Sequence, residues 1–203
     1  MVKKIFKFLH AKYRAFAPLS CLSSPRPDVV SGYAKWKWLM DMRRGGKLVD
    51  PSVEIRCRVG FRERLHLGEG SALDKGCIVS MGDDCGQRAE IKIGQGVYVG
   101  PNCFLGSCHT LEIGDDSLIG ANSYLITVNH RTDNPKLPVG SQGYRGASIR
   151  IGKNVWIGAH VVVLPGVQIG DNAIIGAGAV VTKSVPAGET WIGVPAKKLN
   201  QSE

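Results

Sequence analysis

The feature of this sequence that most limits its fold is an aliphatic residue that returns at every sixth position. A helix buries a face about every 3.6 residues and a plain strand every second residue, so a period of six fits neither. It fits a short strand followed by a turn, stacked as the coils of a parallel β-helix. The predicted inward anchors are Val49, Ile55, Phe61, Leu67, Leu73, Val79, Cys85, Ile93, Val99, Leu105, Ile113, Ile119, Leu125, Ile151, Ile157, Val163, Ile169, Ile175 and Val181.

A second position repeats with the anchors. The fourth residue after most of them is small or β-branched, as at Ser71 and Val97, and it is expected to fill a corner of each coil. Gly, Asn or Asp is expected to take the turn dihedrals. Because each coil then buries its face only against its neighbours, the pattern predicts a solenoid.

The cysteines fit that core. None of the six forms a C-x-x-C pair, and Cys77, Cys85 and Cys103 fall at inward positions. They are predicted to be small apolar core residues in a reducing compartment, with no disulfide or metal framework.

The charge is concentrated at the N-terminus. The chain carries a net charge of +9, all of it within residues 1–48, while the repeat region is neutral. This distribution argues against nucleic acid as a partner of the repeats. Residues 1–16 place apolar side chains at helical spacing among lysines, and a second short helix is expected from about Ser31 to Arg44. The segment predicts either docking on an anionic membrane surface or a helical cap on the first coil.

No stretch is long and apolar enough to span a membrane, and Lys and Arg interrupt the N-terminus too often for a signal peptide. These features predict a cytoplasmic protein, with peripheral contact at the inner membrane face if residues 1–16 dock there.

The repeat has two slips of two residues and one large break, which directly follows Val128-Asn129-His130. Residues 131–150 abandon the period and are rich in polar residues, Gly and Pro, which predicts a protruding loop. Loops inserted into a solenoid commonly line its functional sites, so His130 is the main catalytic candidate. His10, His66, His109 and His160 are expected to be structural.

The run from Ile113 to His130, the loop, and the sequence IGKNVWIGAHVVVLPGVQIGDNAIIGAGAVVTKSVPAG…GVPAKKL resemble the hexapeptide-repeat acyltransferases of the galactoside, maltose and capsule O-acetyltransferase type. The resemblance implies a mainly β fold, a left-handed parallel β-helix of about six coils with a short helical appendage. The expected regions are 1–48 for the appendage, 49–190 for the β-helix and 191–203 for a C-terminal cap.

The resemblance also implies a function. It is that of an acetyl-CoA-dependent O-acetyltransferase acting on a sugar hydroxyl in surface polysaccharide or lipopolysaccharide synthesis, with acetyl-CoA as co-substrate and no metal. His130 would be the general base, a role that suits histidine because it titrates near neutral pH. The acceptor would be a glycan or a nucleotide- or lipid-linked sugar, and family members are homotrimers with sites between adjacent chains.

Further roles carry over by position. The predicted acceptor contacts are Asn102, Cys108, Asn129 and Tyr144. The predicted coenzyme A contacts are Trp156, Gly158, Ala159, Ala177, Thr182, Lys183 and Lys197. Cys108 stands where the family has a sugar-binding aspartate, which puts galactosides in doubt, and the loop residues Asp133, Tyr144 and Arg145 are candidates to replace that contact.

Other functions of the same repeat stay open. A streptogramin or chloramphenicol acetyltransferase shares the Asn-His before a loop, and a non-enzymatic β-helix scaffold would need no site at all. A serine acetyltransferase needs a longer N-terminal domain than 48 residues. A γ-class carbonic anhydrase needs two metal histidines about five residues apart, and His109, His130 and His160 are spread too widely.

Overall fold

The computed structural model describes residues 37, 39–43, 45–57, 61–82 and 89–200. Across them, short strands build a three-sided prism. The strands of the first half are β1 (Leu48–Val49), β2 (Glu54–Cys57), β3 (Leu65–Leu67), β4 (Ala72–Leu73), β5 (Ile78–Met81), β6 (Glu90–Ile93), β7 (Tyr98–Val99), β8 (Phe104–Ser107), β9 (Thr110–Ile113), β10 (Leu118–Ile119) and β11 (Tyr124–Ile126). Those of the second half are β12 (Val128–His130), β13 (Tyr144–Gly146), β14 (Ile149–Ile151), β15 (Trp156–Ile157), β16 (Val162–Val163), β17 (Gln168–Ile169), β18 (Ile174–Ile175), β19 (Val180–Val181), β20 (Thr190–Ile192) and β21 (Lys197–Lys198).

Three parallel sheets form the sides of the prism. Face I consists of β1, β4, β7, β10, β15, β18 and β20, and β21 adds to it antiparallel. Face II consists of β2, β5, β8, β11, β16 and β19, and face III of β3, β6, β9, β14 and β17, extended by a bridge from Ile169 to Val185. The described chain thus winds six times around a parallel β-helix and starts a seventh turn at β20, which confirms the predicted fold and coil number.

The six-residue period produces the core. Every predicted anchor except Phe61 and Cys85 is a buried, inward residue of a face strand. The fourth residue after an anchor is buried at a corner in the regular coils, as at Ser71 and Val97. The described exceptions follow Leu105 and Leu125, where His109 is half-buried and Asn129 exposed. Cys77 and Cys103 occupy two such corners, buried as predicted, and their thiols are free. Stacked coils therefore bury one continuous aliphatic column.

One predicted anchor is wrong. Phe61 begins a one-turn helix, Phe61–Arg64, that lies between β2 and β3 and belongs to no face. The inserted segment happens to keep the next anchor, Leu67, in phase, so a count by sixes does not reveal it. Cys85 lies outside the described residues.

The three edges of the prism differ. Along edge I/II, where those faces meet, from the second coil onward, and along edge III/I throughout, the third residue after the anchor has a positive φ, as at Asn102 (57°), Asn122 (58°) and His160 (58°). Its amide donates to the turn of the preceding coil, for example His160 N to the Ala121 carbonyl at 2.9 Å. Both edges keep their spacing through every described coil, because each turn is bonded to the next.

Edge II/III is where the spacing varies. The helix Phe61–Arg64, the two extra residues Cys108 and His109, and the long segment between β11 and β14 all fall on it. The number of residues from β5 on face II to β6 on face III also exceeds that of a regular turn. Insertions in four successive coils are therefore stacked along a single edge.

The N-terminal appendage is described only in part. Residues 39–43 are helical, Leu39 is buried against the core, and the chain turns at Gly45 and Gly46. The predicted helix over residues 1–16 lies outside the described residues. In the part of the chain that the structure covers, no helix has the length and apolarity to cross a membrane.

Candidate active site

The long segment between β11 and β14 folds as an arm, residues 127–147, on edge II/III of the fourth coil. Its strands β12 and β13 pair antiparallel, with Asn129 opposite Arg145 and His130 opposite Tyr144. His130 was predicted to close a regular repeat, but it lies within the hairpin, because β12 has already left face II. A short 3₁₀ turn, Val139–Ser141, sits near the tip.

The base of the arm is held by Thr127, which is fully buried. Its hydroxyl accepts hydrogen bonds from the amides of Cys108 (2.8 Å) and His109 (3.2 Å) in the coil below, and its carbonyl accepts one from Ala147 (3.0 Å). Gly146 closes the base so tightly that an added Cβ would lie 2.4 Å from the Thr127 carbonyl oxygen and 2.7 Å from His109 Cε1. Sequence inspection missed this clasp, because neither Thr127 nor Gly146 departs from what a loop ordinarily contains.

A carboxylate fixes the opposite face of the hairpin. Asp133 accepts hydrogen bonds from Arg131 Nε at 2.9 Å and from Arg145 Nη2 at 3.1 and 3.2 Å. Successive side chains of a strand point to opposite faces, so this clamp lies on the side away from His130. Asp133 and Arg145, predicted as replacement acceptor contacts, are thus already bonded to each other.

His130 stands exposed on the remaining face of the arm. Its ring lies against that of Tyr144, with centroids 4.7 Å apart and planes inclined by 39°. An exposed imidazole on a braced hairpin is accessible to a substrate while its backbone is held in place. That arrangement suits proton transfer to or from a bound molecule.

The other predicted acceptor contacts are dispersed. Asn102 lies in a turn of edge I/II, where its positive φ alone explains an asparagine. Cys108 is buried beneath the arm. The register places Asn129 on the clamp face, and only Tyr144 shares a face with His130.

The predicted coenzyme A contacts span both edges of face II. Trp156 projects from face I with 56% of its surface exposed. Ala159 and Ala177 lie in turns of edge I/II, and Gly158 packs so closely that an added Cβ would be 2.6 Å from Ala177 N. Lys183, with Thr182, is exposed on edge II/III two coils beyond the arm, about 10 Å along the axis at ~4.8 Å per strand.

Lys197 lies apart from these residues, exposed in β21 at the end of face I. Within one chain, His130 and Trp156 are separated by the whole width of face II. The predicted residues therefore do not converge on a single pocket of one chain.

Two grooves of the described surface lie elsewhere. One of about 560 Å³ is lined by face III and edge III/I, including Arg150 and Gln168, and one of about 330 Å³ lies around Leu48 and Tyr98. Neither is lined by His130 or Trp156. In the described part of the chain, no three His, Cys, Asp or Glu side chains are grouped so as to hold a metal ion.

The outward side chains distinguish the faces. On face I, Tyr98, Leu118 and Trp156 are exposed neighbours in register, and on face II Phe104 stacks on Tyr124 with centroids 4.5 Å apart. Face III instead carries charged pairs on its surface, such as Lys92 with Glu90 at 3.0 Å. Faces I and II thus present apolar surface of the kind that marks contact with another molecule.

Comparison with known proteins identifies the repeats. Residues 148–183 match the family model "Bacterial transferase hexapeptide (six repeats)", and residues 111–129 match "Hexapeptide repeat of succinyl-transferase".

Several relatives match a longer stretch than these two family models. Nodulation protein L of Rhizobium leguminosarum bv. viciae is 42% identical over 62% of this chain and 65% of that protein, so the chain spans slightly less than two thirds of its length. Nodulation protein L of Rhizobium meliloti (strain 1021) is 40% identical over 66% of this chain and 72% of that protein. A putative lipopolysaccharide biosynthesis O-acetyl transferase, WbbJ of Escherichia coli (strain K12), is 31% identical over 70% of this chain and 71% of that protein.

A solved structure shares the fold. The galactoside acetyltransferase in complex with coenzyme A superimposes with a TM-score of 0.58 and is 34% identical, over 67% of this chain and 64% of that one.

Proposed function

The chain belongs to the hexapeptide-repeat acyltransferases, enzymes built on a left-handed parallel β-helix, and from that premise we propose that it transfers an acetyl group from acetyl-CoA to a sugar hydroxyl with His130 as general base. The observation that carries the proposal is the arm, which presents one exposed imidazole on a doubly braced hairpin. The coenzyme A bound to the related galactoside acetyltransferase supports the choice of donor.

In the proposed reaction an unprotonated nitrogen of His130 removes the proton of the acceptor hydroxyl. The hydroxyl oxygen bonds to the thioester carbonyl carbon, the carbon–sulfur bond breaks, and the leaving thiolate takes the proton back from the imidazolium. No acyl-enzyme forms, and His130 ends unchanged. General-base catalysis of this kind contributes ~10²–10⁴-fold, and positioning of the two substrates supplies much of the rest.

The proposed assembly is a homotrimer with a site between adjacent chains. Its support is the distance within one chain between His130 on edge II/III and Trp156 on face I, together with the exposed apolar side chains of faces I and II. A neighbouring copy that covered these faces would bring its own Trp156 toward His130. Heterologous contacts of this kind close into a ring when the rotation between copies completes a full turn, and a trimer is the ring proposed for this chain.

The proposed coenzyme A contacts follow from the surface chemistry at each position. Trp156 offers an exposed apolar surface for the pantetheine arm, and the small side chains of Ala159 and Ala177 leave backbone accessible along edge I/II. Gly158 is buried beside them and lets these two turns pack closely. Lys183 and Lys197 are exposed cations suited to the phosphates of the nucleotide end, with Thr182 beside the first.

The proposed acceptor is a sugar of a surface polysaccharide or lipopolysaccharide, free or linked to a nucleotide or lipid, met in the cytoplasm. Similarity to WbbJ supports this class. Asn102, Asn129 and the environment of Cys108 are the proposed acceptor contacts.

The basic segment 1–16 would bring the enzyme to lipid-linked acceptors if it docks on anionic membranes. Co-sedimentation with anionic vesicles decides between docking and a helical cap. Loss of binding in a chain lacking residues 1–20 supports docking, and equal binding of both chains rules it out.

The direct test is acetylation of a panel of sugars, nucleotide sugars, chloramphenicol and a streptogramin, followed by mass spectrometry. An acetyl ester on a sugar with acetyl-CoA consumed in equal amount is expected. Transfer only to an antibiotic, or an amide product, would overturn the proposed acceptor. Absence of coenzyme A binding in calorimetry would overturn transferase function and favour a scaffold.

The site between chains has its own test. His130→Ala and Trp156→Ala chains are each expected to have little activity alone. If one site draws His130 and Trp156 from different chains, unfolding and refolding the two variants together restores part of the activity, because some interfaces contain both native residues. If both residues come from one chain, mixed assemblies stay as inactive as the separate variants.

A further inference from the structure

Edge II/III holds His130 in a more defined geometry than a loop residue usually has. Arg131 N donates to the Gly143 carbonyl at 3.0 Å, so Arg131 and Gly143 form a hydrogen-bonded pair of the hairpin. Antiparallel pairs alternate, and the next pair, His130 and Tyr144, is therefore of the non-hydrogen-bonded type. Side chains of such pairs lie closest to each other.

The side chains confirm that geometry. The rings of His130 and Tyr144 are in contact, with centroids 4.7 Å apart. On the other side of the hairpin Asp133 bonds to both Arg131 and Arg145, the neighbours in sequence of these two residues. At the base, Gly146 rests on Thr127 and His109. The backbone that carries Tyr144 is thus held from two directions, and the ring it presents limits where the imidazole can lie.

The ring contact also has a chemical consequence. When His130 takes the acceptor proton it becomes a cation, and the negative face of an aromatic ring within about 6 Å attracts a cation. This attraction exists only after proton transfer has begun, so it favours the transition state over the bound ground state.

We propose that Tyr144 is the positioning residue of His130: its ring holds the imidazole in the orientation for proton transfer and stabilises the imidazolium. The inference rests on the proposed function and deepens it. It assigns to Tyr144 a role toward the base, where the sequence pattern predicted a contact with the acceptor. The two roles depend on different atoms, because positioning uses the ring and an acceptor contact would use the hydroxyl.

Steady-state kinetics of three variants separates these roles. Tyr144→Phe keeps the ring, Tyr144→Leu removes it, and Leu137→Ala is a control for an exposed apolar residue elsewhere on the arm. We expect Tyr144→Leu to lower kcat about ten- to a hundredfold with the KM of both substrates within about threefold of the native value, since small misplacements of a catalytic group have effects of this size. Tyr144→Phe and Leu137→Ala should stay within about twofold.

A structural measurement protects the result against simple misfolding. The Tyr144 ring current should shift the His130 ring-proton resonances in the native protein and in Tyr144→Phe, and the shift should vanish in Tyr144→Leu while the melting temperature is retained. A kcat of Tyr144→Leu equal to the native value overturns the inference. The inference is also overturned if Tyr144→Phe lowers kcat as much as Tyr144→Leu does. It is overturned as well if Tyr144→Phe raises the acceptor KM and changes nothing else.

The same assay distinguishes this failure from failure of the proposed function. If the native enzyme transfers acetyl groups and His130→Ala does not, the proposed function stands whatever the Tyr144 variants do. Native enzyme without acetyl transfer overturns the proposed function and this inference with it.

Discussion

Edges I/II and II/III border the same face of the prism, yet they behave in opposite ways. Along edge I/II every described coil turns with the same spacing, and amides of successive turns bond to each other, as Asn122 N does to the Pro101 carbonyl at 2.9 Å. Edge II/III carries insertions in four coils and the arm with His130. Edge I/II maintains the stacking of the coils, and edge II/III is free to vary. Catalytic residues can therefore lie on edge II/III without disturbing the stacking along edge I/II.

The largest expected loss of stability is on the regular edge. Gly120 follows a face I anchor, and an added Cβ would lie 2.5 Å from Ala159 N and from the Gly158 carbonyl carbon. Because both contacts are backbone, Gly120→Ala should destabilise the fold by about 3 kcal/mol, the upper end of overpacking costs. Gly140→Ala on the arm, where nothing lies within 4 Å, is the matched control. Equal unfolding curves for the two variants in urea would contradict the difference between the edges.

A smaller loss is expected where the two regions meet. Thr127→Val keeps the shape of the side chain but removes the acceptor of two amides, of Cys108 and His109. Unsatisfied buried donors make this cost about 2 kcal/mol, and the released arm should also lower kcat. Thr127→Ser should preserve both stability and turnover. If Thr127→Val retains full activity, the arm does not depend on its clasp.

The turn dihedrals of edge I/II give a further test. His160 has a φ of 58°, a conformation that β-branched residues strongly disfavour. His160→Val should therefore cost about 1 kcal/mol, whereas His160→Gly should cost nothing measurable. Chemical denaturation of both variants provides the comparison. The assignment of His160 to a turn role fails if Gly destabilises more than Val.

The smallest effect concerns an exposed ion pair on edge III/I. Lys153, 2.8 Å from Asp115, holds the pKa of that carboxyl below its ordinary 3.8, with help from the Gln95 amide. A lowered pKa stabilises the fold above the ordinary value and loses its effect as pH falls through the lowered one. Lys153→Met should thus reduce the melting temperature slightly at pH 7 and not at pH well below 3.8. A difference independent of pH would exclude the pair as its cause.

The sequence predicted the regular edges better than the variable one. Anchors such as Ile119 and Ile175 could be found because their period reflects a packing rule that every coil obeys. Phe61 was misassigned because its insertion preserves the phase of six, and a period cannot detect an insertion of its own length. The sequence also shows no sign that four insertions share one edge, since that alignment exists only after the coils are stacked.

The candidate site was predictable to the same partial extent. His130 stood out because the period ends there, but its neighbours did not. Tyr144 meets His130 through a hairpin register fixed by Thr127, Gly146 and Asp133, which are contacts between residues far apart in the chain. Residue types predicted His130 and Tyr144 as site residues but could not predict that their rings are in contact.

The proposed function depends above all on one histidine of edge II/III. His130→Ala and His66→Ala each remove an exposed imidazole. His66 lies on face III of the first coil, where it pairs with Glu90, and serves as the control. Measured side by side for turnover of acetyl-CoA and for melting temperature, His130→Ala should lose at least about 10²-fold in kcat with an unchanged melting temperature. His66→Ala should keep its activity. If His130→Ala retains most of the native turnover, the arm is not the catalytic site.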